Sequence, residues 1–512
     1  MMDSNIVKTP LQQHLMPAGL RVPPAFVAAF GVLLVTVIAL FTAPYIGMAD
    51  NGDFFRNIYS NGLYFSLPDY DSKYFGYFVK QYGIYQYYNE NGATLDSSQS
   101  LFIRLAVGLN KLLFSSTVFD IRFQAAIYTV LYAAAVYLLI EAVTCRMSRK
   151  QGMIIAVLAV FVFGDTGYTA YFSSFYSESV VMIMMILVFA SWLLLCRKRY
   201  NDYALLGLFV LSSVILTTSK QQNAPVGIII AVLGISLAWV RRDRLFRTLT
   251  FVSMALLMLA GIATYLNISR EFVNINQYHA MTRGVLKESS NPEAALKSFG
   301  IDQQYAILKD SIYYEQYGTV DVNSPILQKD FYSRYGFGPI LKYYAANPDQ
   351  LSSILNVAAR SAFSIKPAAM GNYEESAGKA FRAQSHFFTA YSLIKQKLAP
   401  KTFGFILLWM ALVIGLYMPS CVRAARARDM RGLQRMVLIL ASMGVGLSGI
   451  FVSIIGAGDA DISKHEFLFT LSFDLVTFML AASVIGRKAA ASRRPAATAA
   501  GQYTEVQESV GA

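Results

Sequence analysis

The sequence predicts an all-α polytopic membrane protein with about ten transmembrane helices. Three observations carry this. Of the 512 residues, 55% are hydrophobic and only 15% are charged. Apolar runs recur along the chain at close to the roughly 20 residues that a helix needs to cross a bilayer. The Lys and Arg residues that give the net charge of +13 crowd into short loops between alternate runs. That clustering is a topology signal, so no nucleic acid is expected as a partner despite the basic balance. The partner that the composition does imply is the lipid bilayer.

In chain order, 1–23 is a polar cytoplasmic segment and the first span covers 24–46. A long loop rich in Tyr, Asn and Gly follows over 47–120. Within it, LFIRLAVGLNKLLF at 101–114 has apolar residues at helical spacing but carries Arg104 and Lys111. It is too short and too charged to span, and reads as an amphipathic helix lying in the interface. Further spans are expected at 121–143, from 152 to 163 (or to 172 if Asp165 lies inside), and at 177–196, 203–218, 225–240 and 247–267. The polar stretch 268–400 contains Ser290-Asn291-Pro292, Ser324-Pro325 and Asn347-Pro348. Each pairs a capping side chain with proline at a first helical position, which predicts a small helical domain. Spans at 402–419, 435–456 and 466–486 end the membrane part, before a tail over 488–512 expected to be disordered.

Each loop after an even-numbered span is short and basic, as with Arg197-Lys198-Arg199 or Arg241 and Arg242. Such loops stay in the cytoplasm, so both termini are expected inside, in a multi-pass protein of the cell membrane. Cys145, Cys196 and Cys421 then fall at the reducing face and match no metal-ligand spacing. The expected organisation is a seven-helix module at 24–267, an extracytoplasmic helical domain at 268–400 and C-terminal spans at 401–487.

Polar groups at the edge of the hydrocarbon are costly and usually have a reason. Four clusters qualify, all expected at the outer face. Asp50-Asn51-Gly52-Asp53 with Arg56 leaves the first span as a tight turn. Asp165 ends one span and Glu178 opens the next. Lys220 and Gln221 stand among hydroxyls and amides. Lys464 and His465 follow an acidic turn, with Asp474 about two turns into the last span. The plainer alternatives are helix caps for the acids, a snorkelling lysine for Lys220 and a buried polar partner for Asp474.

No P-loop, dinucleotide-type glycine pattern, zinc motif or nucleophile elbow occurs, and no cytoplasmic loop is long enough for a nucleotide site. Any chemistry is therefore expected to use a substrate presented at the outer leaflet. The carboxylate after the first span, the amphipathic helix in the first outer loop and the second acidic site at Asp165 and Glu178 resemble the GT-C glycosyltransferases. More narrowly, Asn51-Gly52-Asp53-Phe54-Phe55-Arg56, Phe175-Tyr176-Ser177-Glu178 and Ser463-Lys464-His465-Glu466-Phe467 resemble bacterial glycan biosynthesis hexose transferases.

The resemblance implies an inverting enzyme that moves a sugar from a polyprenyl-phosphate donor to a glycan, lipid or protein acceptor. Asp53 would be the base, with Asp50 orienting the acceptor or sharing the role. The acids stand at Asp-x-x-Asp rather than Asp-x-Asp, which leaves the choice between them open. Lys220, Lys464 and His465 would hold phosphate. Glu178 and Asp165 would meet sugar hydroxyls or a divalent metal, the one cofactor left open. Arg56, Gln221 and Asp474 complete the substrate-binding set. Two other readings compete. One is a glycolipid transporter or flippase. The other is a polysaccharide polymerase or ligase, in which Arg360, Lys366, Arg382 and His386 of the later outer segment would matter most.

Overall fold

A computed structural model describes residues 22–92, 95–315 and 318–491, with side chains to residue 486. The expected cytoplasmic N-terminal segment and disordered tail lie, but for a few residues at their inner ends, outside the described residues. The chain is an all-α polytopic membrane fold. Among the described residues, eight helices are long and apolar enough to cross a membrane, or nine if one bent pair counts as a single span.

The first span, α1 (Pro24–Phe41), is shorter than the predicted 24–46. It starts with Pro24 at the first helical position, where a missing N–H costs nothing. Beyond Phe41 the chain turns extended and runs to the short helix α2 (Phe54–Ser60). The first loop holds a feature that aromatic composition alone did not resolve. Strands β1 (Leu63–Tyr64), β2 (Gln81–Ile84) and β3 (Val118–Asp120) form a small antiparallel sheet in the order β1-β2-β3. Between the last two lies α3 (Gln99–Leu113), the expected amphipathic helix. Ile103, Ala106 and Val107 are buried, while Leu101, Leu105, Leu112 and Leu113 are exposed, as suits a helix half in protein and half in an interface.

Next come α4 (Arg122–Thr144) and α5 (Arg149–Phe163), the latter opened by a capping box between Ser148 and Gln151. A bend of 47° separates α5 from the helical stretch Thr166–Ser173, which begins as α6 (Thr166–Thr169). Asp165 sits in this break and caps α6, accepting from the Gly167 N–H at 2.8 Å. The next span, α7 (Glu178–Arg197), has 94% of its apolar window buried. It is apolar all round, as a helix enclosed by other helices must be. It packs on α4, on α8 (Asp202–Thr218) and, later in the chain, on the long helix Met430–Ala457. With 17 residues, α8 is short for a span. Then α9 (Ala224–Gly234) and α10 (Arg244–Leu266) pair with each other.

The 268–400 stretch is helical, with α11 (Arg270–His279), α12 (Pro292–Ser298), α13 (Pro325–Asp330), α14 (Phe337–Ala346), α15 (Pro348–Ser361) and α16 (Ala390–Leu398). Asn291 and Ser324 cap as their sequence predicts, accepting from Ala294 and Leu327 N–H groups. Asn347 does not. Its amide instead donates to the Tyr343 carbonyl at 2.8 Å, closing the preceding helix. The stretch has its own apolar core around Tyr278, Leu296, Phe331 and Ala358, which continues onto Ile406, Ile450 and Phe469 of the last spans.

Those spans are α17 (Phe403–Arg426), α18 (Met430–Ala457) and, after α19 (Ile462–His465), α20 (Phe467–Ala491). Helices α10 and α17 keep only 22% of their apolar windows buried and leave Leu259, Leu408 and Leu412 exposed. Such surface is compatible with lipid, not with water.

The α18–α19 turn is set by Gly458, at φ +59 and ψ −131. A Cβ there would lie 2.5 Å from the backbone N of Gly284, in the π-helical stretch Ala280–Val285. Gly458→Ala is expected to cost on the order of 1–3 kcal/mol by strain and clash together. A clear fall in the thermal midpoint of the purified protein would register it, with Gly456→Ala, where no such approach exists, as the control.

Candidate functional site

One end of the bundle gathers the turn after α1, the start of α7, the turn after α8, the start of the 268–400 stretch and the α18–α19 turn. Between them lies a cavity of about 790 Å3. Asp53, Arg56, Glu178, Lys220, Gln221, Lys464 and His465 all line it. Of the predicted site residues, Asp50, Asp165 and Asp474 do not.

The turn after α1 divides its two acids by backbone geometry. Gly52, at φ +97, takes a conformation that L side chains rarely adopt. This folds the chain back so that Asp50 Oδ1 accepts from the N–H groups of Gly52 at 2.7 Å and Phe54 at 3.2 Å. Its other oxygen accepts from the Tyr70 hydroxyl at 3.3 Å. Asp50 is therefore the helix-capping acid, and is buried. Burial, with the Asp53 charge next to it, raises its carboxyl to about 7. Asp53 occupies the N-cap position of α2, yet its side chain makes no capping bond. Its carboxylate is left free to face the cavity.

Two ion pairs stand in the cavity wall. Lys464 pairs with Asp53, and Lys220 Nζ lies 2.8 Å from Glu178 Oε1. Their exposures are opposed. In the first pair the lysine side chain is 4% exposed and the aspartate 50%. In the second the glutamate is 3% exposed and the lysine 24%. The wall thus presents a carboxylate from one pair and an ammonium from the other. Burial works against ionising Asp53, but Lys464 and then Lys220 hold its carboxyl below the ordinary value. Burial also works against the Lys464 ammonium, and Asp53, Asp461 and Glu178 overcome it.

Surrounding contacts hold these groups in place. The Lys464 ammonium lies 5.1 Å from the centre of the Tyr176 ring. The Tyr176 hydroxyl accepts from the Asn51 N–H at 2.9 Å and is 3.0 Å from the Ala49 carbonyl. Asn51 in turn donates to Asp461 Oδ2 at 2.9 Å. Arg283 and Lys287 both reach Asp459 at 2.7 Å. Arg56 is buried, pairs with Glu271 at 2.7 Å and lies between the rings of Phe55 and Phe272. Gln222 donates to the His465 carbonyl at 2.9 Å. Burial, followed by the charges of Lys220 and Lys464, pushes the His465 imidazolium well below its usual range, so the ring is neutral.

Sequence reasoning missed Asn51, Tyr176, Arg283 and His279 as cavity residues. Asn51 and Tyr176 stood inside quoted motifs, but Arg283 and His279 come from a polar stretch with no local pattern. One flank of the cavity is apolar, formed by Tyr265, Ile268, Phe272 and Ile275 opposite Phe451 and Ile455.

The other predicted residues form separate structures. Asp165 is fully buried, and its Oδ2 accepts from the Ser392 N–H at 2.8 Å, tying α16 to the α5–α6 break. Asp474 lies 2.8 Å from Lys395, and both the Tyr391 and Tyr168 hydroxyls donate to it. Its partners satisfy it as a buried polar anchor between α16 and α20. Arg360, Lys366, Arg382 and His386 do not line the cavity. Among the described residues, no group of three or more His, Cys, Asp or Glu is placed to hold a metal ion. Of the acids that line the cavity, Asp53, Glu178, Asp459 and Asp461 are engaged by lysine or arginine, which disfavours a divalent cation on them.

The chain matches the family described as YfdI N-terminal transmembrane domain over residues 11–503. No curated protein and no solved structure matches it significantly.

Two tests follow from the geometry. Asp50→Asn keeps an acceptor for both N–H groups and is expected to stay folded, whereas Asp50→Ala loses the cap at about 1–2 kcal/mol. Thermal unfolding of the two variants separates them. Lys395→Met leaves the Asp474 charge buried without its cation and is expected to cost about 3 kcal/mol or more. Adding Asp474→Asn, which removes the charge, still accepts from one tyrosine and can donate its amide N–H to the other hydroxyl, is expected to recover much of that loss in the same measurement. With its match covering most of its length, this chain belongs to the YfdI N-terminal transmembrane domain family.

Proposed function

We propose that the protein transfers a sugar from a polyprenyl-phosphate donor to an acceptor hydroxyl, with inversion, at the extracytoplasmic face of the membrane. One observation carries this reading. A cavity-facing carboxylate and a cavity-facing ammonium share a wall with an apolar flank at the edge of the membrane bundle. A sugar on a lipid phosphate already has a good leaving group. What remains is to take a proton from the acceptor and to neutralise the departing phosphate.

In this mechanism Asp53 accepts the proton of the acceptor hydroxyl. The freed oxygen attacks the anomeric carbon from the face opposite the phosphate. The bond from that carbon to the phosphate oxygen breaks, and its electron pair leaves on the phosphate. Lys220 meets that charge. His465, being neutral, serves as a hydrogen-bonding neighbour rather than a second cation. The apolar flank between α10–α11 and α18 suits the first isoprene units, and Asn51, Arg56 and Gln221, which line the cavity, would meet sugar or acceptor hydroxyls. The basic loops at the opposite end of the bundle support the extracytoplasmic assignment. The positions of Arg360, Lys366, Arg382 and His386 away from this cavity favour a transferase over a polymerase or ligase.

Purified protein given a polyprenyl-phosphate hexose and a glycan acceptor is expected to release polyprenyl phosphate. Asp53→Asn should lower that rate by roughly a hundredfold or more, the range for loss of a general base. Full activity in a folded Asp53→Asn variant would remove Asp53 from the chemistry. Movement of the glycolipid across vesicles with no bond cleaved would make the protein a flippase instead.

A further inference from the structure

The two ion pairs of the cavity wall are built in opposite senses, and this bears on what Lys464 does. Lys220 is the ammonium that the cavity exposes, and the buried Glu178 stands behind it. At the other pair it is Asp53 that the cavity exposes, with Lys464 behind it. A phosphate entering the cavity would reach Lys220 directly, but would meet the Asp53 carboxylate before Lys464. The lysine stem is also confined. The ammonium at its end lies over the Tyr176 ring, the residue's own N–H donates to the Asp461 carbonyl at 3.0 Å, and the ammonium has Asp461 Oδ2 as a second partner at 3.7 Å.

We infer that Lys464 is a positioning residue acting through Asp53, which it keeps ionised and aimed into the cavity, and not a ligand of the donor phosphate. This rests on the transferase reading given above and narrows it, since Lys220 is then the phosphate cation. The charged surroundings of Asp53 explain why such a partner is needed. Asp50 stands on the same turn and repels the Asp53 carboxylate, and Asp461 and Glu178 bring further carboxyl groups to the same Lys464. Lys464 favours the Asp53 charge most, then Lys220, with a smaller contribution from His465. The carboxyl of Asp50, accepting two N–H bonds from the backbone, cannot turn toward the cavity without uncapping α2. Without Lys464 the Asp53 proton would therefore bind more tightly. Asp53 would then be ionised only at higher pH.

The test combines kinetics with a direct titration, both on the full-length protein in detergent or nanodiscs. The acid limb of kcat/KM against pH is expected to rise by about one pH unit or more in Lys464→Met, a tenfold loss at the lower pH that high pH restores. Lys464→Arg should return the limb toward its original position. The KM for the polyprenyl-phosphate hexose should change less than about threefold in Lys464→Met and rise at least tenfold in Lys220→Met. A rise in donor KM in Lys464→Met at every pH, with the acid limb unmoved, would make Lys464 a phosphate ligand and overturn the inference. The Asp53 carboxyl can also be followed by infrared difference spectroscopy, with Asp53→Asn as the reference. In the wild-type protein its midpoint should lie below the ordinary carboxyl value of about 4. A midpoint at or above that value would overturn the inference without any measurement of activity. If the protein releases no sugar, the transferase reading fails by itself, and the infrared midpoint of Asp53, expected to rise by about one pH unit or more from the wild-type protein to Lys464→Met, still decides the role of Lys464: an unmoved midpoint would overturn the inference.

Discussion

The ion pair between Lys464 and Asp53 joins residues 411 positions apart in sequence, and the cavity depends on it. It closes the α18–α19 turn onto the turn that follows α1. Asn51 and Asp461 add a second bond across the same seam, and Arg283 and Lys287 anchor the far side of the turn through Asp459. Each of these charges would be expensive alone at the edge of the hydrocarbon. Together they form a connected set in which each has a partner.

The α1–α2 turn shows how a backbone can give neighbouring acids different work. Both aspartates have the same chemistry and stand three residues apart on one turn. Gly52 decides between them, because its positive φ brings the Gly52 and Phe54 N–H groups to Asp50. Asp50 is consumed as a cap, sits buried and binds its proton near neutrality. Asp53, at the formal cap position, is spared the capping role and keeps its charge through lysine. A repelling pair of carboxylates is thereby split into a structural acid and a cavity-facing one, the kind of separation that acid–base chemistry uses.

The bundle supplies the rigidity that this arrangement needs. With α7 enclosed by α4, α8 and α18, Glu178 and Tyr176 stand at the entry to the most buried candidate span among the described residues. The Asp474–Lys395 cluster serves a different end. It fastens α16 to α20 and, through Asp165 and Ser392, to the break between α5 and α6. Its burial and perturbed environment would mark it as a functional site by charge alone. Its complete set of partners and its place outside the cavity mark it as an anchor.

Much of this was legible in the chain. Hydropathy and loop charge determine a polytopic helical bundle, because a bilayer demands long apolar helices whose backbone groups are satisfied internally. The amphipathic spacing of 101–114 determines an interface helix for the same reason. The sequence also marks four polar clusters, since polar residues beside apolar runs are rare enough to be conspicuous. Which clusters meet was decided by tertiary structure alone. No local pattern says that Lys464 reaches Asp53 while Asp474 reaches Lys395, or that Arg283 and His279 join the cavity. Those pairings depend on how helices hundreds of residues apart pack. Burial then set the roles, because a charge reveals whether it faces a cavity or supports a neighbour only once the surrounding helices are in place.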